Sequence, residues 1–304
     1  MSATAPAAPA ISASPSVPAA VRPRSSNTAW ARFRRHRLAL LGLAVLILLG
    51  LAAIFAGALA GYDPNRGDLT QLRAAPNAKH ILGTDSAGRD VAARLLFGAR
   101  ISMTVGIVSV AISAAIGTLI GMQAGYAGGW IDNLLMRFTE VIMTFPVLFA
   151  VIVLVALVGP NVFNVVLVIG VLGWPGLARL VRGQVLSLRE TDYVTAARAT
   201  GASDWRILLI HILPGVLPYV MVAGTLGMAS AILTEAALSF LGLGVQIPVS
   251  TWGNMLYSAQ SLAVLQGMPW LWIPPGAAIA LSVLAANFVG DGLRDALDPR
   301  MRID

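Results

Sequence analysis

The chain has no cysteine among its 304 residues. Disulfides and thiolate metal sites are therefore excluded. Charge is scarce: only 12% of residues are charged, against about 25% in an ordinary soluble domain. Lysine is nearly absent, with Lys79 the sole example, and His80 follows it. A phosphate-binding loop of the GxxxxGK[ST] type needs a lysine followed by Ser or Thr, so ATP hydrolysis by that route is excluded. The three histidines, His36, His80 and His211, are scattered and share no metal-ligand spacing. No local Ser-His-Asp signature is present either.

What the chain has is apolar length. Hydrophobic residues make up 57% of it, and mean hydropathy is +0.77. One soluble core cannot bury that much surface, so the bilayer is the expected solvent. The net charge of +7 is carried almost wholly by arginine. These arginines lie beside apolar runs, which reads as membrane topology rather than nucleic-acid binding.

Six runs are expected to span the membrane: 38–60, 101–124, 138–158, 162–181, 216–242 and 271–290. A bilayer core of about 30 Å needs roughly 20 helical residues. Residues 1–37 read as a disordered basic tail rich in Ala, Pro and Ser. The rival reading of the first run is a signal peptide, since Ala58-Leu59-Ala60 resembles a cleavage site. A signal core is only about 7–15 residues long, so retention as an anchor is favoured. Trp174-Pro175-Gly176 is expected to kink the fourth run. Residues 61–100 form the largest outer segment. Asp85, Ser86 and Gly88 there suggest a turn or cap leading into a short interfacial helix, DVAARLLFGAR. Residues 101–292 form the transmembrane core and 293–304 a tail. With both termini on one side, that side carries fifteen Lys and Arg and the other carries six. The bias places the termini and residues 182–215 in the cytoplasm.

Residues 193–214, YVTAARATGASDWRILLIHILP, are a polar insert between the fourth and fifth runs. Thr191 or Asp192 can cap a helix running to Thr200, and Ala196, Ala197 and Ala199 give it a thin face. Gly201 permits a turn that other residues resist. Ser203 or Asp204 then caps a second helix, which Pro214 is expected to stop. Such a built insert in a greasy chain suits docking by a partner in the aqueous phase.

Ala196-Ala197, three residues, Gly201 and then Leu213-Pro214 resemble the EAA loop of ABC-importer permeases. The leading Glu of that pattern is Thr195 here. HILGTDSAGRDVAARLLFGARIS (80–102), LTEAALSFLGLGVQIPVSTWGNML (233–256) and DGLRDALDPRMR (291–302) resemble the second permease subunit of the dipeptide, oligopeptide and nickel group. The resemblance implies an all-α, type I (MetI-like) importer permease fold with six transmembrane helices in a bacterial inner membrane. It implies as partners a second permease, two ATP-binding subunits and an extracytoplasmic substrate-binding protein. ATP and magnesium are then expected on the ATP-binding subunits, with no cofactor or metal on this chain. Coupling to them is expected through the loop at 190–215, by Tyr193, Ala196, Ala197, Arg198, Gly201, Ala202, Ser203, Asp204, Leu213 and Pro214. Dipeptides or oligopeptides are the expected cargo, with nickel or glutathione as alternatives.

Glu140 and Glu235 fall inside apolar runs. A carboxylate at mid-bilayer costs about 2.5–3.5 kcal/mol on insertion scales, so each is expected to face protein, water or an interface. The functional reading puts them on a translocation path; the structural one makes them hydrogen-bonded or end-of-helix residues, and is favoured. Gly117, Gly121 and Gly125 have the small-xxx-small spacing that permits close helix packing. Trp252, Tyr257, Trp270 and Trp272 read as an interfacial aromatic belt. A secondary transporter working alone would carry ionisable pairs at mid-membrane or an inverted repeat, and neither is found. A membrane scaffold would not need a capped insert.

Overall fold

A computed structural model describes residues 26–297, with side chains from residue 30 onward. Its regular structure is helical, apart from two isolated antiparallel bridges, Gly67 with Arg89 and Thr84 with Asp90. In chain order the helices are α1 (Ser26–Phe33), α2 (Arg37–Ile54), α3 (Ala56–Leu59), α4 (Val91–Ala127), α5 (Gly129–Thr144), α6 (Val147–Val158), α7 (Val162–Leu172) and α8 (Pro175–Leu188). There follow α9 (Asp192–Ala199), α10 (Asp204–Arg206), a π-helical stretch Ile207–Ile212, α11 (Leu213–Phe240), α12 (Trp252–Leu256), α13 (Leu262–Gly267) and α14 (Ile273–Leu297).

Among the described residues, five runs are long and apolar enough to cross a membrane: Arg37–Ile54, Val91–Ala127, Val162–Leu188, Asp204–Phe240 and Ile273–Leu297. α5 and α6 supply a sixth crossing only as a pair bent by 83°. The span expected over 138–158 is broken at Phe145-Pro146. Proline has no N–H to continue the ladder, and its ring drives the preceding residue out of the helical region. Phe145 accordingly sits extended, at φ −86° and ψ 131°. At Trp174-Pro175, where a kink is expected, α7 ends at Gly173 and α8 begins with Pro175 in its first turn, while Val162–Leu188 remains one membrane-length run.

Three other expectations are corrected. The separate interfacial helix is the first part of α4, a single helix of 37 residues. No proline interrupts it, and the charge at its junction, Arg100, donates to the carbonyls of Ala53 and Ile54 at the end of α2 (both 3.1 Å). Its cap is Asp90, whose carboxylate accepts from Ala93 N–H (2.7 Å) and meets His80 Nδ1 at 2.8 Å. The tail expected to be disordered to residue 37 contains α1, because Phe33 buries itself among Ala39, Val289 and Ala296. Residues 1–25 of that tail lie outside the described residues. The C-terminal tail expected from 293 is helical to Leu297 in α14, and residues 298–304 lie outside the described residues.

α4 and α8 pack closely because glycines line their contact. A Cβ added at Gly121 would lie 2.5 Å from Ala178 O and 2.7 Å from Val181 Cβ; one at Gly125 would lie 2.8 Å from Val185 Cβ. Gly117 faces Trp174 O and Leu177 Cβ in the same row, each 3.0 Å from such a Cβ. Overpacking of this kind costs about 1–3 kcal/mol. Gly121→Val is therefore expected to lower the thermal midpoint of the purified protein, and Gly50→Val, where a Cβ meets nothing within 4 Å, is not. Equal melting of the two variants would contradict the close-packing account.

Candidate functional site: the 190–215 insert

The insert begins where α8 ends. The Thr191 hydroxyl donates to Leu188 O (2.6 Å), and Thr191 itself is extended at φ −76° and ψ 151°. Neither Thr191 nor Ser203 makes the side-chain cap that the sequence suggests. α9 instead carries Asp192 in its first turn and Arg198 in its last, each charge opposing the helix dipole at its end. Thr195, where the loop pattern has Glu, is exposed, and its hydroxyl donates to Thr191 O (3.1 Å).

α9 closes on a paired C-terminal turn. Gly201 N–H donates to Arg198 O (3.0 Å) and Ala202 N–H to Ala197 O (3.1 Å). That pairing requires a left-handed residue between them, and Gly201 has φ +80°. The three alanines do not share one face, as the sequence expected. Ala196 and Ala199 are exposed, while Ala197 turns inward with Ala202.

The inward face of the insert is apolar and closed. Val194, Ile207, Leu208, Ile212 and Val216 bury against Met122 of α4 and Val181 and Val185 of α8. A fully buried aliphatic side chain contributes about 1.5–3 kcal/mol, so this cluster fixes the insert to two spans at once. Tyr126, at the end of α4, ties both halves together. Its hydroxyl donates to Asp204 Oδ1 (2.7 Å), and the Arg198 guanidinium stands 5.5 Å from its ring centroid. Arg189 adds a bond to Gly125 O (2.9 Å). Sequence reading missed Tyr126 and Arg189, which are 78 and 64 positions from their partners; only the folded contact reveals them.

The outward face is also apolar, yet open. Tyr193, Trp205, Leu209 and Ile210 are each roughly half exposed. Ser203 and Arg206, close to Trp205 in the chain, are exposed as well. Exposed apolar side chains beside polar ones suit cover by a partner protein.

Pro214 does not stop the second helix. The helical run continues from Asp204 to Phe240. Proline removes one backbone donor and would clash with the carbonyl four residues earlier. The π-helical stretch Ile207–Ile212 ends two positions before it and shifts the carbonyl register there. The insert is thus continuous with α11, so a displacement of one is carried by the other.

The two acids have different settings. Glu235 of α11 is fully buried and accepts from the hydroxyls of Ser102 on α4 (3.1 Å) and Ser239 (2.7 Å). Ser102 also accepts from Trp252 N–H of α12 (3.2 Å), so Glu235 knits three helices. Glu140 of α5 is exposed and paired with Arg137 (3.0 Å). The structure brings neither acid to the insert. Among the described residues no group of three or more His, Asp or Glu could hold a metal ion.

Residues 117–303 match the family described as binding-protein-dependent transport system inner membrane component. Residues 26–76 match the N-terminal transmembrane domain of oligopeptide transport permease C. The chain is 45% identical over 291 residues to a putative peptide permease of Brucella suis, covering 95% of each chain. It is 43% identical over 288 residues to a glutathione transport permease of Pectobacterium atrosepticum, covering 93% of this chain and 95% of that one. It is 41% identical over 274 residues to a dipeptide transport permease of Alkalihalophilus pseudofirmus, covering 90% of each. Among solved structures, an inward-facing MetNI methionine ABC transporter superposes with a TM-score of 0.56 at 17% identity. It covers 67% of this chain and 97% of that one, a likeness of fold.

Proposed function

The chain belongs to the family of binding-protein-dependent transport system inner membrane components, and we propose that it is the permease of a peptide importer whose 190–215 insert receives the stroke of an ATPase. As a member it is a multi-pass membrane transport subunit and not an enzyme, and it works with a partner permease, an ATPase and a substrate-binding protein. In the proposed assembly one second permease, two ATP-binding subunits and an extracytoplasmic binding protein surround it. ATP and magnesium sit on the ATP-binding subunits, and both termini and the insert are cytoplasmic. Relatives named for dipeptide and for glutathione transport have similar identity. The cargo is therefore assigned to the peptide class and to no single member.

The observation that carries this reading is the two-sided insert. Its inner face is fixed to α4 and α8 by a closed apolar cluster, and its outer face presents Tyr193, Trp205, Leu209 and Ile210. A partner gripping the outer face would move α4, α8 and the continuous α11 together. α8 holds α5 in turn, through the two hydrogen bonds from Arg182 to Asp132 (both 2.6 Å). Closure of the ATPase pair would thereby rock the spans and open the path between the permeases, first to one side and then to the other.

The test is uptake by vesicles holding the complete set of subunits, with peptide supplied on the binding protein. ATP-dependent accumulation is expected. Movement of peptide by this chain alone, down an ion gradient and without an ATPase, would refute the reading. The orientation has its own check, made simple by the absence of native cysteine. Thr200→Cys, at an exposed position, is expected to react with a membrane-impermeant maleimide only from the cytoplasmic face. Labelling from outside would invert the topology.

A further inference from the structure

α5 and α8 wall an open groove of about 550 Å³ lined by Glu140, Arg179 and Arg182 with Met136 and Met143. That volume is within the range of about 300–1,000 Å³ typical of small-molecule sites. Both walls can be measured from the insert end of the bundle, where Arg189 of the α8 terminus bonds Gly125 O beside the start of α5. Arg179 lies nine residues before Leu188, and Glu140 eleven residues after Gly129. At 1.5 Å per residue they stand at nearly the same height, about 14 and 17 Å from that end. Charges on the spans face protein or water, and they mark paths.

The charges in the groove are not equally satisfied. Arg182 is held by Asp132 through two bonds. Arg179 has no carboxylate within ion-pair distance among the described residues. Its guanidinium meets only Met143 Sδ, at 3.6 Å. The wall beside it is open, since a Cβ at Gly176 or Gly183 would touch nothing within 4 Å. Glu140 is paired with Arg137, with side chains 56% and 83% exposed, and lies close enough to Arg182 to feel its charge. Exposed pairs of that kind hold weakly and exchange readily. The groove therefore offers a planar cation with free donors and, at the same height, an acid in an exchangeable pair.

A free peptide carries the complementary charges at its two ends. Its carboxylate fits the guanidinium fork in bidentate fashion, and its ammonium suits a carboxylate. The methionines between them are flexible and polarizable, and so accept side chains of many shapes. We propose that Arg179 and Glu140 hold the carboxylate and ammonium ends of a free peptide in this groove as it crosses. The assignment rests on the peptide-importer reading and gives the path a named grip on the two charges every free peptide carries.

The test uses the complete transporter in lipid, with Ala-Ala as the probe. Arg179→Gln and Glu140→Gln are each expected to cut Ala-Ala accumulated per ATP hydrolysed about tenfold, and Arg179→Lys to recover part of the loss. A second measurement omits the binding protein. By saturation-transfer NMR, wild type is expected to contact Ala-Ala more strongly than Ala-Ala amide, and Arg179→Gln to erase that difference. If wild type accumulates Ala-Ala while both Gln variants match its stoichiometry, the groove assignment falls and the importer reading stands. Equal contact with the free peptide and its amide in wild type also overturns the assignment. If wild type accumulates no peptide at all, both readings fall.

Discussion

Replacing Gly201 with proline is expected to reduce ATP-driven uptake to background while the chain still inserts and assembles. Gly201 sits at φ +80°. Proline is locked near φ −65° and has no N–H, so it can neither adopt the turn nor make the bond to Arg198 O. Gly201→Ala isolates the conformational part. An L-residue in the left-handed region costs roughly 1–2 kcal/mol, and alanine keeps the N–H. Steric bulk does not enter, because a Cβ at this position meets nothing within 4 Å. The expected order of uptake is therefore glycine, then alanine, then proline near zero, with the ATPase subunits still hydrolysing ATP. The turn sets the angle between α9 and α10, and hence whether Tyr193 and Trp205 present one surface. Wild-type uptake by Gly201→Pro would show that the turn is not needed for coupling.

The features legible in the sequence are those set by neighbouring residues. Hydropathy over a 20-residue window reveals the spans, and Gly201 is readable because a glycine after an alanine-rich helix is a familiar stop. The row of Gly117, Gly121 and Gly125 is readable for the same reason: spacing along one helix fixes a face. Proline was harder. Pro146 breaks its span because Phe145 before it turns extended, yet Pro214 is absorbed into a continuous helix. The difference lies in whether the preceding carbonyls can shift register, which the π-helical stretch Ile207–Ile212 allows. Contacts across long separations left no local signal. Tyr126 gripping Asp204 and Arg198 is one case. Ser102 reaching Glu235 across 133 positions is another. Two acids that look alike in sequence thus diverge, Glu235 sealed within a helix junction and Glu140 open to a groove.

Removing the cation of the Arg182–Asp132 pair is expected to be among the most damaging single changes in the spans. Asp132 is 8% exposed, and both its carboxylate oxygens accept from Arg182 at 2.6 Å. Arg182→Met would leave that carboxylate buried without a partner. Breaking a buried pair from one side costs about 3–5 kcal/mol. The Arg182 side chain is 35% exposed, so the lower end, about 3 kcal/mol, applies. Taking away both charges, as in Arg182→Met with Asp132→Leu, is expected to restore most of the lost stability, because no orphan charge remains. Thermal unfolding of the assembled complex in detergent would give the four corners of the cycle, and the coupling energy measures the pair. A double variant as unstable as the sum of the singles would show that the pair contributes nothing beyond packing. The same pair is the physical link from α8, which leads into the insert, to α5, which carries Glu140. A rescued double variant that melts like wild type is nonetheless expected to transport poorly, because α5 would no longer follow α8. If it also transports like wild type, the stroke reaches the groove by another route, and α4, which shares its glycine seam with α8, is the remaining candidate.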